Sequence, residues 1–197
     1  MDTGPVPQDD WSGPRPLALR RPFVAVAALA LVLVAALFVA VRRDVDIPAQ
    51  VAAHYVDLMA GALPLEAKDS DPEALARALA AQGAGFLPAI RPLDPAFALL
   101  GGGVHRLADR EGAYWYYRDA RSDMVLVEAF TAALDELGPA ADIRETPPPA
   151  LYVFRKTTQT LVFWAEGHQV YAMTSTLPGE RVIALARRAA PGGKDVR

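Results

Sequence analysis

His54, His105 and His168 are the three side chains of this sequence best suited to hold a metal ion or relay a proton near neutral pH. They lie far apart, none is paired with Asp or Glu at ligand spacing on one helix, and no His-Glu-x-x-His occurs. A site assembled by folding stays open, but the expected role of the three is structural, at the surface or partly buried. The chain has no cysteine, which excludes a disulfide scaffold, a thiol nucleophile, a thiolate zinc site and an iron–sulfur cluster. Gly101-Gly102-Gly103 lacks the Lys-Ser/Thr and the helix start that a phosphate loop requires. It falls between two apolar, strand-like runs, where glycine suits a bulge or tight turn. No Gly-x-Ser-x-Gly elbow is present. The expectation is a protein that is not an enzyme, with no catalytic residue, cofactor or metal set to name.

Aromatic residues form the most distinctive group. Tyr114, Trp115, Tyr116 and Tyr117 are consecutive, and Tyr152, Phe154, Phe163, Trp164 and Tyr171 follow in later strand-like segments. Side chains alternate along a strand, so Tyr114 and Tyr116 share one face while Trp115 and Tyr117 share the other. Either helices cover both faces, or a partner or ligand covers one of them. On the second reading Tyr114, Trp115, Tyr116, Tyr117, Trp164 and Tyr171 are the candidate partner surface.

These residues need elements to position them. Of the 197 residues 52% are apolar, and the formal net charge is −3. Without a basic stripe a nucleic-acid partner is not expected. The longest apolar run, Phe23 to Val41, has no polar side chain and is flanked by Arg20-Arg21-Pro22 and Arg42-Arg43. At ~1.5 Å per residue it approaches the ~30 Å hydrocarbon core of a bilayer. A cleaved signal peptide is the alternative, but the run is long for one, stops at Arg-Arg and would need bulky Phe38 before a cut after Ala40. An uncleaved transmembrane helix over 23–41 is the favoured reading. The tail 1–22, rich in Pro, Gly and Asp, cannot bury a core and is read as disordered and cytoplasmic. Residues 42–48 are a linker, and 49–190 are the extracytoplasmic domain. The expected location is the inner membrane, single-pass, with the C-terminal domain periplasmic.

Within that domain Pro48 introduces a helix over Ala49–Ala60 with Val51, Tyr55, Leu58 and Met59 on one face. Ser70-Asp71-Pro72-Glu73 starts a second helix, which Gly83 and Gly85 end. Proline-rich 86–95 reads as an extended connector. Strands are expected over 96–100, 104–108, 113–119, 124–130, 151–156, 160–165 and 169–174, with turns that include Asp109 to Gly112. The acidic, proline-rich segment 137–149 reads as a surface excursion, a last helix follows Pro178, and 191–197 reads as a frayed tail. The fold class is therefore α+β: a transmembrane helix, two helices, an antiparallel sheet of about seven strands and one closing helix.

The order of these features resembles the extracytoplasmic domain of membrane-anchored bacterial anti-sigma factors. The resemblance runs from Val51 to Ala186. Its landmarks are His54, Phe86-Leu87-Pro88 with Ile90, Leu93 and Asp94, and Phe97 to Gly102 leading to Val104. Tyr116-Tyr117-Arg118, Met124 to Val127, Leu161 to Trp164, Glu166-Gly167, Tyr171 and the helix within 177–186 continue it. Such proteins carry a cytoplasmic domain that clamps the sigma factor, often with a His-x-x-x-Cys-x-x-Cys zinc motif. Here that region is only the 1–22 tail, and no cysteine is present, so a sigma factor is not expected to bind directly. The resemblance implies a membrane-anchored, non-catalytic sensory or protein-interaction module whose partners are the bilayer and other membrane or periplasmic proteins. The alternative is an accessory or assembly subunit of a larger membrane complex.

Overall fold

The computed structural model describes residues 46–145 and 148–192. The 1–22 tail, the apolar run 23–41 and residues 193–197 lie outside the described residues, and among the described residues no helix is long and apolar enough to cross a membrane.

Helix α1 (Ile47–Met59) begins where the Asp46 side chain accepts a hydrogen bond from the Ala49 amide, with proline in the first turn. Helix α2 (Pro72–Ala81) repeats that start with Asp71, whose carboxylate accepts from the Glu73 amide. Helix α3 (Gly179–Ala189) closes the domain with Arg187 and Arg188 in its last turn, where cations complement the helix dipole.

Between α2 and α3 the chain forms β1 (Phe97–Leu107), β2 (Arg110–Asp119), β3 (Met124–Thr131), a 3-10 turn (Leu134–Leu137), β4 (Asp142–Arg144), β5 (Leu151–Lys156), β6 (Gln159–Glu166) and β7 (Gln169–Ser175). The strands make one sheet in the order β1-β2-β3-β7-β6-β5-β4, and every neighbouring pair is antiparallel. The first three strands form a meander. The chain then crosses to the opposite edge and returns strand by strand, so that β7 closes against β3.

This is the α+β architecture expected, with two corrections to its strands. The segments 96–100 and 104–108 are one strand, because Gly101 at φ 137° absorbs a register shift against β2 instead of ending it. The β1–β2 turn is made by Ala108 and Asp109, both at positive φ, rather than by Asp109 to Gly112. Gly112 lies inside β2, paired with His105 on one side and Phe130 on the other. The proline-rich excursion also contributes β4, an exposed edge strand.

Alternation along the strands gives the sheet two apolar faces. On one, α1 packs Ile47, Val51, Tyr55 and Leu58 against Leu107, Tyr114, Leu126, Phe130 and Phe163. On the other, α2, the 86–95 connector and α3 cover Trp115, Tyr117, Val127, Trp164, Tyr171 and Met173. Met59, expected on the inner face of α1, is 56% exposed.

Candidate functional site

Burial decides the fate of the aromatic surface. Tyr114, Trp115, Tyr117, Trp164 and Tyr171 are each at most 2% exposed, and Tyr116 is partly buried. The reading of these residues as a partner surface is corrected accordingly. The helices cover both faces, and the aromatics serve the core.

Their polar tips hold the loops in place. Tyr117 donates its hydroxyl to the Arg91 carbonyl at 2.7 Å, and Tyr171 Oη accepts from the Ala89 amide at 3.1 Å. Trp164 stacks on Tyr171 with 5.5 Å between ring centroids, and Trp115 meets Tyr171 edge-on at 6.2 Å. The connector they fix carries Arg91, whose guanidinium donates to both Glu166 oxygens at 2.8 and 2.6 Å and to the Ala189 carbonyl at 2.9 Å. Tyr114 donates its hydroxyl to the Pro64 carbonyl, its ring lying where a side chain on Gly103 would stand.

On the α1 face, folding brings together three groups that lie far apart in sequence. His54 sits on the apolar stripe of α1, one turn from Val51 and one from Leu58. His105 is on β1 and Glu128 on β3, two strands apart. The gap is bridged because the residue between them on β2 is Gly112. A methyl group there would stand 3.2 Å from His105 Nε2 and 3.0 Å from the Ala129 carbonyl. The bare backbone lets the His105 ring lie over β2 and reach the carboxylate.

Glu128 is fully buried and is the one charged residue in the core among the described residues. Its Oε2 lies 2.9 Å from His54 Nδ1 and 3.1 Å from His105 Nε2. The first contact is a hydrogen bond; the second is as close but not aligned as one. Glu128 Oε1 and both His105 nitrogens have no hydrogen-bond partner. The two imidazoles meet edge to face with centroids 4.9 Å apart. His105 is 8% exposed at its side chain and His54 21%, so solvent reaches the cluster from the helix side.

Opposing forces act on the carboxyl. Burial pushes it up, but contacts with His105 and His54 win and hold it below the usual carboxylate range. The hydrogen bond to Glu128 raises the His54 imidazole, against desolvation and with a smaller contribution from Asp57. The cluster thus favours an anionic Glu128 with two nitrogen donors, the chemistry of a proton relay or a divalent-cation site.

Sequence reasoning took the histidines as structural and missed the cluster. The available signal was Glu128, a lone charge at an inward position of the apolar strand Met-Val-Leu-Val-Glu-Ala-Phe-Thr. His168 lies exposed in the β6–β7 turn, away from the cluster.

Comparison with protein-family models, curated proteins and solved structures finds no match for this chain.

Proposed function

We propose that this chain is a membrane-anchored module that works by binding, its folded domain displayed outside the cytoplasm to interact with other membrane or envelope proteins. The observation that carries the reading is the uninterrupted apolar run from Phe23 to Val41, closed at both ends by arginines. Only Arg42 to Val45 separate it from Asp46, the residue that caps α1. The resemblance to the extracytoplasmic part of anti-sigma factors agrees with a sensory role.

The interaction surface of such a module lies outside the aromatic core. Val56 and Met59 on α1, Leu87 on the connector and Ile143 on β4 are the large apolar residues left exposed among those described. Two of the four, Val56 and Met59, lie one turn apart on the same face of α1.

Two measurements test the reading. Protease added to intact spheroplasts is expected to digest the C-terminal domain, and protection alongside digestion of an external control overturns the orientation. Purification of the tagged chain from native membranes in mild detergent is expected to retain a regulator or an envelope protease. A fixed-ratio set of membrane-complex subunits would instead make it an accessory subunit.

A further inference from the structure

The geometry points to a divalent transition-metal site made by His54, His105 and Glu128, with zinc as the reference ion. Two neutral imidazoles and one carboxylate form a donor set that binds zinc and leaves a fourth position open. The ligand atoms of the three side chains all lie within 4.8 Å of one another. Two donors at ~2.0–2.1 Å from one tetrahedral ion stand ~3.3 Å apart. The Nδ1–Oε2 and Nε2–Oε2 separations of 2.9 and 3.1 Å need to open by only a few tenths of an ångström to match.

Burial and satisfaction argue in the same direction. A fully buried carboxylate is costly to keep charged unless its lone pairs are used. In Glu128 one oxygen has no partner, and the His105 ring nitrogens have no aligned hydrogen bond. A cation bound by the Glu128 carboxylate and the two nitrogens gives a partner to His105 Nε2 and uses a carboxylate whose Oε1 the apolar surroundings leave idle. His54 is the most exposed of the three, and its side of the cluster is the entry path for an ion. Gly112 belongs to the design, because a side chain there would meet the His105 ring.

The site joins α1 to β1 and β3, so occupancy would fasten the first helix of the domain to the sheet. This metal binding is independent of membrane anchoring, and it can fail or succeed without touching that reading.

The test uses the full chain in a nonionic detergent, stripped with EDTA and dialysed. Zn²⁺ is titrated in competition with a chromophoric chelator, and Co²⁺ serves as a spectroscopic probe. The expected result is one equivalent of Zn²⁺ bound with sub-micromolar affinity and a rise in Tm on loading. Co²⁺ is expected to give intense visible bands of a low-coordinate site, and two strongly shifted imidazole N–H proton resonances. His54→Ala and Glu128→Gln should each weaken Zn²⁺ by more than ~100-fold, beyond the ~10–100-fold typical of losing an outer-shell partner. His168→Ala is the control and should leave affinity unchanged. His105→Ala removes a buried ring and risks unfolding, so the decision rests on His54→Ala, at a partly exposed helix position, and on the wild-type Co²⁺ spectra. Failure to bind one equivalent below the micromolar range overturns the proposal, as does binding that survives His54→Ala, responds to His168→Ala, or gives the weak bands of octahedral Co²⁺.

Discussion

Gly112 shows how a single missing side chain organises this domain. It stands between His105 and Phe130 in the sheet, and a methyl group placed on it would press on the Ala129 carbonyl at 3.0 Å and the His105 ring at 3.2 Å. Replacing a strand glycine with alanine ordinarily gains ~0.5–1 kcal/mol in chain entropy. Here the overpacking cost of ~1–3 kcal/mol should dominate, because one of the two neighbours is backbone. Gly112→Ala is expected to lower Tm by several degrees in thermal unfolding followed by circular dichroism, and an unchanged or raised Tm would show that the ring has room to move. The phenols give a second prediction at this scale. Desolvation pushes Tyr114, Tyr117 and Tyr171 above the ordinary tyrosine value. Their folded-state pKa values exceed the unfolded value of ~10, so the stability they contribute is complete below pH ~10 and is lost as pH rises through the folded values. Absorbance titration should show these phenols ionising late and together with unfolding, whereas in denaturant all tyrosines should titrate near pH ~10. The sequence showed little of the His54–His105–Glu128 cluster, because its members come from one helix and two non-adjacent strands. No spacing rule connects residues that only register brings together. The same is true of Gly112, which reads as a turn glycine until the Ala108-Asp109 turn is seen to take that role.

Whole elements were more legible than their ends. The α1 and α2 starts follow from Asp-Pro chemistry and Pro48, and the final helix from Pro178 and its arginines, because these signals are local. What local signals could not give was the continuity of β1 through Gly101 or the pairing of β4, since each depends on a partner strand. Asp46 is the element-scale residue to change. It caps α1 through the Ala49 amide at 2.9 Å and pairs with Lys156 on β5 at 2.9 Å. The ion pair is exposed and adds little, so the cap should account for most of an expected ~1 kcal/mol loss in Asp46→Ala. Denaturant unfolding should show a lower midpoint with an unchanged m-value, and Asp46→Asn, which still caps, should recover most of it. Arg91 ties three elements by a different route. Its fork holds both Glu166 oxygens and the Ala189 carbonyl at the end of α3. A lysine cannot reproduce that planar fork, so Arg91→Lys should cost ~1–2 kcal/mol and detach the connector first. Hydrogen exchange at the amides of 86–93 should accelerate more than at β3, and uniform acceleration would mean that the connector is not a separately held unit.

At the scale of the whole molecule, the apolar run and the folded domain make separable demands. The domain from Asp46 onward has its own two-faced sheet covered on both sides by its own helices. It also carries its own cap at Asp46, so a cut after Val45 leaves every described contact of α1 in place. A chain beginning at Asp46 is therefore expected to unfold in one cooperative transition, with the Tm of the full chain to within a few degrees. The 23–41 run should decide partitioning instead. With ~19 apolar residues the full chain should stay in the membrane pellet through alkaline carbonate washing, whereas the chain from Asp46 should be found in the supernatant. Adding a single arginine at Leu33 should weaken retention, because a charge at the centre of a spanning helix costs ~2.5–3.5 kcal/mol on insertion scales. If the full chain washes out as readily as the truncated one, the run is not an anchor and the proposed location falls with it. The isolated domain is then expected to keep its sheet, its aromatic core and the His54–His105–Glu128 cluster, whose described contacts are made among residues 46–192.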